Sequence, residues 1–286
     1  MQPRHSPFSA CTFITPGQDL EKGLSDVRKL GVTIADFGVG DHVAHEPLAG
    51  ILAAPRARGK VFAEVAANTG IQLSQALLVN FGPPTNAPEP EKRDIIDKNL
   101  PPLLEFLVEA GVSSLMVTAG PRHASLSWEE CFQLAVDGLS RYARLSEGRG
   151  ILVCLEPDVD SFLRNPTEAL ALLEAVSGIG LTLDLSHFIC RSIAQSDVEC
   201  LLPRTHLVHV RQASPGLIVD HWNTGTIDFT RLVHQLEAAH FNGEYCVEYL
   251  GVAPTLDRGI DPYEENARAL ESLREILNLE RKTLHP

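Results

Sequence analysis

The stretch GLTLDLSHF, residues 180–188, sets a carboxylate, Asp184, inside an alternation of Leu181, Leu183 and Leu185, with His187 three residues on. Burying an unpaired carboxylate is costly, so Asp184 needs a partner or a use. Three more apolar runs carry a comparable group near their ends: Glu156 in ILVCLEP, His209 in HLVHVRQ and Glu248 in EYCVEYL. Three carboxylates gathered in a low-dielectric site repel one another, and a divalent cation removes that repulsion. Two Glu, one Asp and one His are mostly hard oxygen donors, which suit Mn²⁺ foremost, with Mg²⁺, Co²⁺ or Zn²⁺ also compatible. A structural zinc site would favour thiolates instead. Any one of the four, taken alone, also reads as a polar residue at a strand end with a local partner. Four at equivalent positions on successive strands favour a shared centre.

Short apolar runs alternate with longer amphipathic stretches along the whole chain. The runs are FSACTFI, VTIADFG, QALLVNF, SSLMVTA, ILVCLEP, LTLDLSH, HLVHVRQ and EYCVEYL. Helical patterns fall between them, at 18–29, 56–69, 91–110, 127–146, 166–177, 195–202, 228–240 and 262–278. Pro166 opens one such helix and Asp228 is placed to cap another. Eight strand–helix units predict an α/β fold, a single (β/α)₈ barrel domain over residues 1–286. A doubly wound open sheet would want a G-x-G-x-x-G turn after an early strand, and FGVGDH at 37–42 has the wrong spacing. In such barrels the chemistry sits where the C-terminal strand ends meet their loops. That is where the four candidate ligands fall.

A formal charge of −13 repels a phosphate backbone, and PRARGK at 55–60 is the one basic cluster. The expected partner is therefore a small molecule rather than nucleic acid. The opening MQPRHSPFSA has no hydrophobic leader and no run approaches the length of a membrane span, so no membrane partner and a cytoplasmic location are expected. The six cysteines form no C-x-x-C pair and read as reduced thiols.

CLEPD, LTLDLSHF, HVRQASPG, GTIDF and GEYCVEY resemble successive signatures of the xylose-isomerase-like TIM barrel superfamily. That superfamily holds sugar isomerases and epimerases of carbohydrate metabolism and also endonuclease IV. The likeness is strongest to its D-tagatose 3-epimerase and inosose-processing members. It implies that Glu156, Asp184, His209 and Glu248 bind one divalent metal and that His187 contacts substrate oxygens. The endonuclease members need extra histidines on early strands. LLVNF and LMVTA end without one, so a trinuclear cluster is not expected, although GDHVAH at 40–45 holds two loop histidines. Homo-oligomers are common in the superfamily, and one is possible here.

Arg211 lies two residues past His209 and so shares its strand face; it either holds a substrate oxygen or carboxylate or pairs with Glu248. Asp36, Asn80 and Thr118 stand at the ends of early strands, and Asn80 either binds a substrate hydroxyl or caps its loop. After HVRQA, the segment SPGLIVDHWNT is more apolar than the resemblance implies; it either makes the pocket mouth more apolar or caps it with Trp222, a candidate substrate contact.

The expected activity is a metal-dependent isomerase or epimerase of a hydroxy-ketone, such as a ketose or inosose, working through an enediolate. Glu156 and Glu248, on opposite sides of the metal, would move the proton. A dehydratase of an inosose or a 3-dehydroshikimate-like substrate is the alternative, with an endonuclease-like enzyme or a non-catalytic barrel further behind. Without a cation, Asp184→Asn is expected to relieve carboxylate repulsion and raise stability.

Overall fold

Leu and β-branched residues at alternate positions give each apolar run one face for a helical layer and another for a shared interior. The computed structural model describes residues 7–15, 17–40, 45, 47–79 and 82–284. Its strands are β1 (Phe8–Cys11), β2 (Ile34–Gly40), β3 (Gln72–Val79), β4 (Ser114–Thr118), β5 (Leu152–Glu156), β6 (Ile179–Asp184), β7 (Thr205–Val210), β8 (Gln212–Ser214), β9 (Leu217–Asp220) and β10 (Glu244–Val247). Eight of them close into a parallel barrel in the order β1-β10-β7-β6-β5-β4-β3-β2, and β8 and β9 pair as an antiparallel hairpin.

Helices cover the outside where the sequence predicts them, including 20–29, 55–69, 90–109, 128–146, 166–175 and 229–238. Ser127 and Glu130 form a reciprocal capping box, and Asn165 and Asp228 accept the N–H groups of Glu168 and Arg231. Leu181, Leu183, Val208 and Val210 join Leu103, Leu107, Leu139 and Leu172 in the main core between strands and helices. Alternate positions face inward, where Cys11, Phe13, Leu77, Met116, Leu207 and Cys246 form a second, smaller cluster. Gly38 on β2 is part of that fit, since a Cβ there would stand 2.1 Å from Phe13 Cζ.

Three local readings change. β6 is buried at all six positions rather than on one face, because helices cover its outside and the barrel closes over its inside. Leu185 has already left the strand for helical backbone, and a short helix at Ser186–Ile189 follows. The helix expected at 195–202 is a turn at Gln195–Val198 followed by a 3₁₀ stretch, Glu199–Arg204. Pro203 has no N–H to continue an α ladder there.

Candidate functional site

β5, β6, β7 and β10 are neighbours in the barrel, and their inward strand ends bring Glu156, Asp184, His209 and Glu248 to one rim. Asp184 and His209 are register partners across β6 and β7. All four are buried, between 1 and 6% exposed. Glu248 is fixed through its neighbour: Asn266, on the C-terminal helix, accepts from Tyr249 N–H and donates to Tyr249 O, both at 2.9 Å. The Tyr249 hydroxyl accepts from Gln212 N–H and donates to the Asp220 carbonyl, tying the β8–β9 hairpin to β10.

His209 Nδ1 lies 2.7 Å from Glu156 Oε1 and 3.3 Å from Glu248 Oε1. Asp184 Oδ1 accepts from Ser186 N–H at 2.8 Å. Asp184 Oδ2 lies 2.6 Å from Arg211 Nη2 and 3.4 Å from His187 Nε2. The Arg211 guanidinium also reaches Glu248 Oε2 at 3.5 Å and donates through Nε to Ser186 Oγ at 2.9 Å. His187 Nδ1 accepts from Val159 N–H, which orients that ring. Donor atoms of Glu156, His209 and Glu248 lie within 4.8 Å of one another, as do those of Glu156, Asp184 and His187. Glu156 therefore joins two overlapping triads, and Arg211 bridges Asp184 and Glu248 between them.

Burial alone would raise the Glu156 and Asp184 carboxyls. The charge of His209 beside Glu156, and of Arg211 beside Asp184, more than offsets it and leaves both below the usual range. Glu248 goes the other way: burial dominates and pushes it up to about 7. Burial opposes the charge on His209, but Glu248 and Glu156 hold its pKa well above the ordinary value. A proton on His209 and the Arg211 guanidinium thus do part of what a divalent cation would do here.

The residues fit such a cation. Asp184 Oδ2 and Glu248 Oε2 are buried with no partner beyond Arg211 and, for Asp184, His187, and with Glu156 and His209 they form an oxygen-rich donor set for Mn²⁺, Mg²⁺, Co²⁺ or Zn²⁺.

Of the other sequence candidates, His187 and Arg211 join this group. Asn80 lies outside the described residues. The Trp222 ring stacks on Phe229 with centroids 4.9 Å apart, and the Trp222 backbone N–H donates to Glu265 at 2.8 Å. The expected pocket-mouth loop is the β9 arm of the hairpin, with Val219 in the core. Thr118 lines a separate cavity of about 330 Å³ beside the ends of β3, β4 and β5, shared with Thr85, Tyr142, Asp158 and Ser161. His45 bonds Thr12 Oγ1 and the Gln18 carbonyl and stacks on Phe13, while His42 lies outside the described residues. Ser186 had no role in the sequence reading; it follows Asp184 by two residues, but nothing in the strand pattern shows that it braces both Asp184 and Arg211.

A sequence model of the xylose isomerase-like TIM barrel family matches residues 24–276, and the chain belongs to that family. No curated protein matches it significantly. Among solved structures, an L-ribulose 3-epimerase is similar, with TM-score 0.75 and 16% identity over 97% of this chain and 96% of that one. A D-psicose 3-epimerase from Clostridium cellulolyticum H10 has TM-score 0.74 and 16% identity over 95% and 99%. The IOLI protein, whose structure carries a bound zinc atom, has TM-score 0.73 and 16% identity over 95% and 98%. At that identity the likeness speaks to the fold.

Proposed function

We propose that this chain is a divalent-metal-dependent isomerase or epimerase of a small hydroxy-ketone, a ketose or an inosose. The observation that carries the reading is the buried convergence of Glu156, His209 and Glu248, with Asp184 alongside, at the C-terminal barrel rim. Glu156, Asp184, His209 and Glu248 would hold the ion. Bound there, it would act as a Lewis acid on a carbonyl and its adjacent hydroxyl, acidifying the C–H between them and stabilising enediolate charge. The activities printed for the similar structures, sugar epimerases among them, agree with this substrate class.

The remaining steps belong to the chain itself. Glu156 and Glu248 flank His209 and are the proton-transfer pair. Carboxylates on two sides of the ring can take a proton from one face of a substrate carbon and return it to the other. His187 is fixed at Nδ1 by Val159 N–H, and its Nε2 stands beside Arg211 Nη2 and Asp184 Oδ2, so a substrate hydroxyl bound at this rim would meet it together with those two groups. Arg211, which pairs with Asp184 and Glu248, would be available to hold a substrate oxygen if those carboxylates served as ligands. The net charge of −13 fits a small-molecule partner rather than nucleic acid. Among the described residues no helix is long and apolar enough to cross a membrane, in keeping with a cytoplasmic enzyme.

Metal analysis of the purified protein, followed by a screen of ketoses, inososes and 3-dehydroshikimate with each of the four metals, tests the reading. Isomerised or epimerised product that requires added metal supports it. Loss of water from an inosose or from dehydroshikimate would replace it with a dehydratase.

A further inference from the structure

Below the rim, two buried polar atoms face each other and neither has a hydrogen bond: Asp36 Oδ2 on β2 and His209 Nε2 on β7, 3.6 Å apart. Asp36 is fully buried and His209 is 1% exposed. Orphaned polar atoms are rare in protein interiors, so a facing pair calls for a reason. The carboxylate is anchored from its other side. Asp36 Oδ1 accepts from Gln75 N–H at 3.3 Å, and the Gln75 side chain donates to Ser114 Oγ and accepts from Thr182 Oγ1. Strands β3, β4 and β6 together hold Asp36 against the back of the imidazole. The front of the same ring, Nδ1, faces Glu156 and Glu248.

A neutral imidazole has one N–H and one lone pair, so the partner at one nitrogen decides what the other offers. We infer that Asp36 is a positioning residue of this centre: it accepts the Nε2–H of His209, fixing the ring and the tautomer that points the Nδ1 lone pair at the ion. A movement of roughly 0.5 Å brings the facing atoms into hydrogen-bond range. Carboxylates behind metal-binding histidines typically carry 10–100-fold of metal affinity. The inference rests on the proposed metal reading and adds the direction in which His209 binds.

The same atoms permit a rival arrangement. Cys11 and Cys246 lie with Asp36 and His209 in one group within 4.8 Å, their sulfurs 3.7 Å apart, which could hold a second ion through thiolates. With no cation present, burial pushes the Cys11 thiol up to about 12 and Cys246 well above its ordinary value, so both pack as neutral thiols beneath the centre, and a metal count separates this arrangement from the first.

The test is a long-range ¹H–¹⁵N correlation on the full chain, labelled at histidine and loaded with Zn²⁺. The expected spectrum shows His209 protonated at Nε2 and coordinated at Nδ1, with one zinc per chain. In Asp36→Asn the side-chain amide offers an N–H to Nε2 and favours the wrong tautomer. Zinc affinity, read by competition with a chelating dye, should then fall roughly 10–100-fold. Zinc carried on Nε2, or a folded Asp36→Asn protein with unchanged affinity, would overturn the inference while leaving the metal site standing. Two metals per chain with a thiolate charge-transfer band in the Co²⁺ form would overturn it in favour of the cysteine site. No zinc uptake at all would sink the metal reading and this inference with it. The wild-type spectrum decides the tautomer even if the variant does not fold.

Discussion

Arg211 Nη2 lies 2.6 Å from Asp184 Oδ2, and both side chains are almost wholly shielded from solvent. The first partner of the buried aspartate is thus a guanidinium from the next strand, with Ser186 N–H and His187 beside it. That reverses the expectation that neutralising Asp184 would stabilise the metal-free protein. Asp184→Asn should instead leave Arg211 buried without its nearest counter-ion and lower apo stability by about 3 kcal/mol or more. Denaturant unfolding with and without metal reads this, and an increase in apo stability would contradict it. Metal affinity should fall as well.

Arg211 also competes with the cation it sits beside. Replacing it with Gln should raise Mn²⁺ affinity by about tenfold or more, since a neighbouring positive charge is removed from a shielded site. The apo protein should lose stability at the same time, because three buried carboxylates then face only the imidazoles of His187 and His209. Titration calorimetry on Arg211→Gln checks the first effect, and weaker Mn²⁺ binding would mean that Arg211 organises the ligands rather than opposing the ion.

The pH dependence follows from His209 and Glu248. Folding raises His209 above its ordinary 6.5, so its stabilising charge is present below that pH and is lost as pH rises through the higher folded value. Folding also raises Glu248 from 4.5 to about 7, which lowers stability progressively as pH climbs through that interval. Both groups hold protons that the unfolded chain releases, so apo Tm should fall from about pH 5 towards pH 8. Metal binding displaces those protons, so the metal-induced gain in Tm should grow over the same range. A pH-independent gain would mean that the ion does not meet His209 or Glu248.

Asn266 supplies a stability prediction away from the polar centre. Both of its amide bonds go to the backbone of Tyr249, next to Glu248. Asn266→Ala leaves a buried N–H and a buried carbonyl unpaired, at about 1–3 kcal/mol for each. Urea unfolding should show a loss of about 2–6 kcal/mol for the two groups together, and metal affinity should weaken because Glu248 is no longer held. An unchanged metal affinity would make Asn266 purely a brace of the fold.

The barrel was legible because strand and helix periods differ sharply and eight units fill the chain. The convergence of Glu156, Asp184, His209 and Glu248 on one rim was legible because strand alternation and strand-end position fix which way a side chain faces. How far a long side chain reaches is not written in that pattern. Arg211 shares the face of His209, yet only packing shows that it bridges Asp184 and Glu248 and donates to Ser186. The hairpin was missed although Pro215 and Gly216 announce a turn, and Gly216 sits at φ 81°. Nor does sequence reveal that the Trp222 ring stacks on Phe229.

The measurement closest to the central claim is solvent isotope incorporation. The metal-loaded enzyme is given a ketose or inosose that it turns over in D₂O, and product is examined by ¹H NMR and mass spectrometry. A proton carried by Glu156 or Glu248 exchanges with solvent, so the account predicts deuterium at the carbon beside the carbonyl in product, and in returned substrate as exchange proceeds. Complete turnover to a product without solvent deuterium would contradict it, because hydrogen would then have moved without passing through either carboxylate.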